Sequence, residues 1–507
     1  MDFPMLSLLI LVPVGAAAVV MLLPKERTEL HIPVALVLSL LPVGLGGVLF
    51  ARFESIVGFQ FVEQAPLIER WGVSWHLGID GIALPLIILT TILIPISIAA
   101  STSISKNAQL FLAMVLLLEA GLIGVFSALD LIVFFVFFEA ILIPMYFIIG
   151  IWGSENRIYA AIKFFLYTAF GSALMLVGII ALSVMQQTKT GVSSFDYNVL
   201  LGLEIPPATQ AWLFVVFGIA FAIKVPMFPF HTWLPDAHVQ APTAGSVLLA
   251  GVMLKLGTYG FLRFNLPLFP DAAVRFAPVV ATLAVIGIVY GAAVAIVQTD
   301  LKKLVAYSSV SHLGFIMLGI VALTQNGLDG GVIQMVNHGV TTGALFLLVG
   351  MLYERRHTKL IADFGGLQKT MPVLAGVFLF STFASIGLPG LNGFVGEFLV
   401  LIGSYATLPG FAVIATAGVV LAAVYLLWAY ERVFTGAADK PENQDIPDLN
   451  LRERLIFVPL IALILVLGVY PKVLLDRIEP STAGIIDRIE ATTDYVEPTF
   501  VIGEPSE

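Results

Sequence analysis

The sequence predicts an all-α polytopic membrane protein of about 14 transmembrane helices. Within it lie two inverted five-helix repeats, spans 4–8 and 9–13, with helices 7 and 12 broken. Three observations predict this. Of 507 residues, 59% are hydrophobic and 12% charged, with a mean hydropathy of +0.99; a soluble domain is about 25% charged. The apolar residues fall in runs of membrane-crossing length, divided by polar, Pro and Gly punctuation. Two of those runs are interrupted internally, five spans apart.

Taken in order, the runs are 5–23, 31–51, 80–100, 109–128, 131–151, 163–184, 211–229, 242–262, 276–297, 303–323, 331–352, 372–405, 411–430 and 455–470. The first lacks a basic leader, and Pro24-Lys25-Glu26 behind it is no cleavage site, so it reads as a membrane helix. The seventh meets Pro226 and Pro229. The twelfth is too long for one simple crossing and contains GLPGLNG, Gly387 to Gly393. Two separate helices there are the alternative reading. Four units follow: 1–107 with three spans, 108–264 and 274–434 as the repeats, and 435–507 with the last span and a tail.

Lys and Arg in the loops set orientation. With the N-terminus away from the cytoplasm, fifteen fall on the cytoplasmic side, Lys302 among them, and eight on the other, Arg263 among them. Both termini are then expected outside, periplasmic in a bacterial inner membrane. Cys is absent, which excludes disulfides and thiolate-held zinc or iron–sulfur centres in this chain. A net charge of -9 argues against nucleic acid. No HExxH or paired-histidine spacing suggests a metal.

Lys224 and Lys255 belong to no loop, and Glu119, Glu139 and Glu397 also lie within runs. A charge at the bilayer centre costs at least about 2.5–3.5 kcal/mol, so such groups are expected to face one another or water inside the bundle. A buried lysine beside a carboxylate that can approach or withdraw is able to hold or release a proton. Single buried pairs also serve as structural glue, and a lysine at a run's end can snorkel. Several such groups in one bundle point to a relay. His231, His312 and His338 extend it, histidine being the side chain that titrates most readily near neutrality. His238 is set aside, and His31, His76 and His357 read as solvated.

The breaks fit this. Pro226 and Pro229 remove backbone donors, and GLPGLNG adds flexibility. Irregular backbone at membrane depth survives only where protein or water satisfies it. Broken helices in corresponding positions of two halves mark a transport site between inverted repeats.

The stretches 118–153, FAIKVPMFPFHTWLPDAH with its continuation (221–263), 300–319 and GLPGLNGFVGEFLVLIG (387–403) are similar to the antiporter-like, proton-translocating subunits of respiratory complex I, kin to subunits of multisubunit sodium/proton antiporters. The likeness runs over essentially the whole chain. Within that family the L and N branches carry a lysine on the twelfth helix where FVGEF here supplies Glu397. The chain also lacks the L branch's long lateral helix. Both features point to the M branch of NADH:quinone oxidoreductase, counterpart of mitochondrial subunit 4. An antiporter subunit and the D branch of the photosynthetic NADH dehydrogenase-like complex are alternatives.

The resemblance implies that Glu139 pairs with Lys224, and that Lys255 passes the proton along the midplane to Glu397. His231, His312 and His338 would bridge these groups through water, with Glu119 auxiliary. It implies no cofactor in this chain; NADH, FMN, iron–sulfur clusters and quinone belong to partner subunits. The implied partners are L-type and N-type neighbours in the membrane arm, and the lipid bilayer.

Overall fold

The computed structural model describes residues 3–498. Helices α1 (Met5–Leu22) and α2 (Thr28–Arg52) precede a two-stranded antiparallel hairpin, β1 (Gln60–Ile68) and β2 (Val73–Ile79). The all-helical expectation does not include this hairpin. It turns at Gly72, in the left-handed region at φ +69, and it ties down helix starts. Glu63 accepts from the Leu6 and Ser7 N–H groups, donors that the first turn of α1 leaves without partners. Ser74 N–H donates to Asp130 at 2.8 Å.

Helices α3 (Ala83–Ala99), α4 (Ala108–Ser127), α5 (Leu131–Ala140) and α6 (Leu142–Trp152) follow, the last two forming one crossing. Next come α7 (Arg157–Thr190), the short α8 (Tyr197–Leu201), α9 (Pro207–Lys224) and α10 (Trp233–Gln240). One continuous span, Thr243–Leu268, contains α11 (Thr243–Leu248), α12 (Lys255–Gly260) and α13 (Leu266–Leu268), joined by π-helical turns at Leu249–Met253 and Phe261–Asn265. Then come α14 (Pro270–Ile296), α15 (Leu301–Val321), α16 (Gln325–Arg356), α17 (Pro372–Ser385), α18 (Asn392–Thr407), α19 (Pro409–Phe434), α20 (Leu451–Val469) and α21 (Lys472–Thr492).

Every expected run coincides with helix. Among the described residues eleven spans cross by length and composition alone, twelve when the bent pair α20–α21 counts as one. The other two runs are the short α3 and the pair α17 and α18. Residues 386–391 divide that pair, so the twelfth run is a broken one. The expected tail is different: 472–492 is a helix turned 67° from α20. Its sequence hides it, because its apolar residues line one face only and never make a continuous stretch.

Burial inverts the soluble pattern. Thr243–Leu268, α15 and α16 are enclosed almost throughout, whereas α2 and α19 leave most of their apolar surface facing outward. Leu40, Leu41, Phe170 and Val420 are examples of exposed apolar side chains, as expected where lipid is the solvent.

The helices after α3 run through one order twice. The third crossing of each set is long, 34 residues in α7 and 32 in α16, and the fourth is broken. Asp130 caps α5 and bridges to Asp196 after α7; Asp300 caps α15 and its backbone bridges to Leu360 after α16. Five crossings separate the two bridges, which puts them at opposite ends of the bundle.

Candidate functional site: a buried chain of lysine, histidine and glutamate

Helix α9 ends at Lys224 because Pro226 and Pro229 cannot supply the next N–H donors. The break is orderly. Val225 N–H donates to Phe221 O, Met227 N–H to Ala222 O, and the Trp233 indole to Ile223 O at 2.9 Å. Beyond it, α10 is held to α7 by the Lys163–Asp236 ion pair at 2.7 Å and by Tyr167 with Thr232 at 2.9 Å. Lys224 therefore sits in mid-bundle, 1% exposed, and does not snorkel. Its Nζ has no hydrogen-bond partner among the described residues and lies 4.9 Å from the Phe138 ring centre and 5.7 Å from that of Phe164.

Glu139 follows Phe138 on α5 and is half-buried, with Oε1 unpartnered. No Lys224–Glu139 ion pair forms within 4.0 Å among the described residues, so the expected pair stands open here. Glu119 on α4 is wholly buried, with both oxygens unpartnered among the described residues. His231 is buried in the break against Phe228 and Tyr290, ring centres at 5.7 and 5.1 Å. Its Nδ1 is unpartnered, and it makes no direct bond to Lys224.

The second part is continuous. Lys255 follows directly on the π-helical turn and its Leu254 cap, an irregularity that recurs at functional sites. It is fully buried, and its Nζ donates to Ala250 O and meets His338 Nδ1 at 2.7 Å. The His338 and His312 ring centres lie 6.0 Å apart. His312 Nδ1 then meets Glu397 Oε1 at 3.1 Å. Gln334 reaches the same oxygen at 3.4 Å, and Asn337 holds Gln334 and the Asn392 carbonyl together. Glu397 projects from the first half of α18 back toward the break, where Gly387 adopts φ +75. A Cβ at Gly387 would sit 2.8 Å from Glu397 Oε2.

The structure corrects four placements expected from the sequence. Lys302, expected in a loop, is buried on the first turn of α15 and donates to Ala241 O at 2.6 Å. The adjacent charges Lys302 and Lys303 imitate a loop edge, although residues on both sides of them are apolar. Arg263, also expected in a loop, forms a buried pair with Asp80 at 2.6 Å. His31 and His76, expected to be solvated, are both buried; His31 bonds to Pro24 O, and His76 to Asp196 at 2.6 Å. His357 is exposed as expected.

His238, which the sequence does not single out, is fully buried. Both its ring nitrogens are unpartnered among the described residues, and its ring stacks 4.5 Å from Phe346. Its electrostatic neighbours are Lys302 and Lys255. The available signal is that most of α10, the helix carrying it, lies within the bundle. That follows only if the seventh crossing resumes after its break instead of ending at Pro229. Among the described residues no group of three or more His, Asp or Glu side chains converges on a metal position.

Residues 128–423 match the family described as NADH:quinone oxidoreductase/Mrp antiporter, TM. Residues 48–125 match NADH-ubiquinone oxidoreductase chain 4, amino terminus. The chain is 46% identical to NADH-quinone oxidoreductase subunit M of Rhodobacter capsulatus, across 96% of this chain and 97% of that one. It is 43% identical to NADH-ubiquinone oxidoreductase chain 4 of Marchantia polymorpha, across 95% and 97%. Its fold superposes on a chain of respiratory complex I from Thermus thermophilus with bound NADH at a TM-score of 0.86, with 33% identity, covering 95% and 99%.

Proposed function

Because the chain belongs to the antiporter-like proton-pumping subunits of complex I, as a member of their subunit M branch, we propose that Glu139, Lys224, Lys255 and Glu397 form its proton relay. One observation carries this. Lys255, His338, His312 and Glu397 form a buried series, with two hydrogen bonds at 2.7 and 3.1 Å and one ring-to-ring step of 6.0 Å. A series of titratable groups at membrane depth is expensive to maintain and marks an ion pathway by default.

In this reading the repeats 108–264 and 274–434 each supply one broken helix and one carboxylate. Approach of Glu139 holds a proton on Lys224, and its withdrawal releases that proton toward Lys255. The open Glu139–Lys224 geometry is one of the two arrangements such a switch requires. His238 joins the relay between Lys302 and Lys255. His231 lies on the route past the first break, and Glu119 tunes the field around it. Redox chemistry on NADH, FMN, iron–sulfur clusters and quinone takes place in other subunits and drives the switch by conformational or electrostatic coupling. L-type and N-type subunits flank the chain in a bacterial inner membrane, with its termini on the periplasmic side.

The test is Lys224→Ala in the whole complex, reconstituted in liposomes. Assembly and NADH oxidation should persist while protons moved per electron fall sharply. An assembled variant with the wild-type ratio would refute the relay.

A further inference from the structure

A second feature lies outside the relay itself. An apolar groove of about 300 Å³ runs between α2, α3, α16 and α20, with the start of α21 at one end. Phe50, Ile88, Leu89, Leu463 and Leu467 form its walls and Val336 its floor. Thr91 is the polar side chain in that lining, and its hydroxyl is already used, donating to Ile88 O at 2.9 Å. The groove lies within crossings that are apolar by composition, so its occupant is itself apolar.

The end of the groove is different. Arg477, on the first turns of α21, lies with its guanidinium 4.2 Å from the centre of the groove-lining Phe50 ring. One of its nitrogens donates to the carbonyl of Val473, which also lines the groove. Its Nε is enclosed and has no partner among the described residues. No carboxylate comes within 4.0 Å of it among the described residues. An arginine presents its donors as a planar fork suited to phosphate. An apolar groove whose lining residues Phe50 and Val473 also touch a guanidinium without a carboxylate partner matches an acyl chain joined to a phosphate headgroup.

We infer that this groove is a binding site for one anionic phospholipid, its acyl chain along α2 and α20 and its phosphate at Arg477. The position has a consequence for the relay. Val336 lies between Gln334 and Asn337–His338 on α16, so a seated acyl chain packs against the helix that carries His338.

The structure also supplies a plug. Gly47 lines the groove, and a Cβ built on it meets nothing within 4 Å. A side chain there starts in open space and extends into the slot. The experiment uses the purified whole complex in liposomes with phosphatidylglycerol or phosphatidylcholine carrying a photoactivatable acyl chain, followed by peptide mapping. Labelling is expected in 43–50 and 463–474, stronger with phosphatidylglycerol than with phosphatidylcholine. Gly47→Leu should abolish it, and Arg477→Gln should remove the preference between the two lipids. Equal labelling by both lipids in the wild type overturns the inference, as does labelling no greater than on α7 or insensitivity to Gly47→Leu. Crosslinks from the groove peptides to a neighbouring subunit in place of lipid also overturn it, because a protein segment is then the occupant.

Discussion

Gly387→Ala should disable the last step of the relay without replacing a titratable group. Two effects combine. At φ +75 an alanine carries a strain of about 1–2 kcal/mol that glycine does not. Its Cβ would also stand 2.8 Å from Glu397 Oε2, closer than carbon and oxygen tolerate. The far end of the glutamate is the part able to move, so the carboxylate swings away from its 3.1 Å contact with His312. A hydrogen bond to a charged partner contributes about 1.5–3 kcal/mol. At about 1.4 kcal/mol per factor of ten, the Glu397–His312 contact becomes roughly 10- to 100-fold less populated. In liposomes holding the whole complex, NADH oxidation is followed together with an internal pH dye. Protons per electron should drop in Gly387→Ala and stay normal in Gly376→Ala, a position on α17 where a Cβ meets nothing within 4 Å. An assembled Gly387→Ala complex that pumps at the wild-type ratio would show that Glu397 need not touch His312, and the reasoning fails.

Other outcomes follow from the same geometry. His238→Phe keeps an aromatic ring against Phe346; it should leave assembly intact and cut pumping in the same liposome assay, whereas a histidine that only packs would show no change. Arg263→Leu strands the Asp80 carboxylate in a buried site and should destabilise the subunit by about 3–5 kcal/mol. The double change Asp80→Leu with Arg263→Leu should recover only part of that in thermal unfolding of the purified complex, because Asp80 also accepts from the Ile82 and Ala83 N–H groups. Burial alone would raise the pKa of the Asp196 carboxyl, but the hydrogen bond and charge of His76 and the N–H groups of α8 outweigh it and hold the group below its ordinary value. A lowered value in the folded chain means the contact is fully present above about pH 3.9, the ordinary aspartate value, and is lost as pH falls through the folded value. Protection of 73–79 from hydrogen exchange, taken relative to the intrinsic rate at each pH, should therefore hold from neutral pH to about pH 4 and fall below it; Asp196→Asn should be less protected throughout.

Much of this protein is legible in one dimension. A run of apolar residues long enough to cross lipid has few alternatives to helix, since unsatisfied backbone cannot remain in hydrocarbon. That is why all fourteen runs became helix, and why Pro226, Pro229 and GLPGLNG marked real breaks. The improbability of charge in such runs likewise singled out Lys224, Lys255, Glu139 and Glu397. Polar residues near the ends of runs were not legible. Lys302, Arg263, His76 and His238 look like loop or edge residues because sequence reports depth only along one helix, while their burial comes from helices distant in the chain packing over them. The hairpin and α21 escaped because neither makes a long apolar stretch: α21 buries one face only, while the hairpin pairs a largely exposed β1 with a largely buried β2.

The sequence alone determined the solvent, the helices, the two breaks and the cost of each buried charge, because these depend on local composition. Only the tertiary structure decided which buried groups meet. Lys255 touches His338 across 83 positions of chain and His312 touches Glu397 across 85, whereas Lys224 and Glu139 stand apart. Such contacts depend on how α16 and α18 lie against α15 and the Thr243–Leu268 span, and that packing is a property of the assembled bundle, not of any one segment.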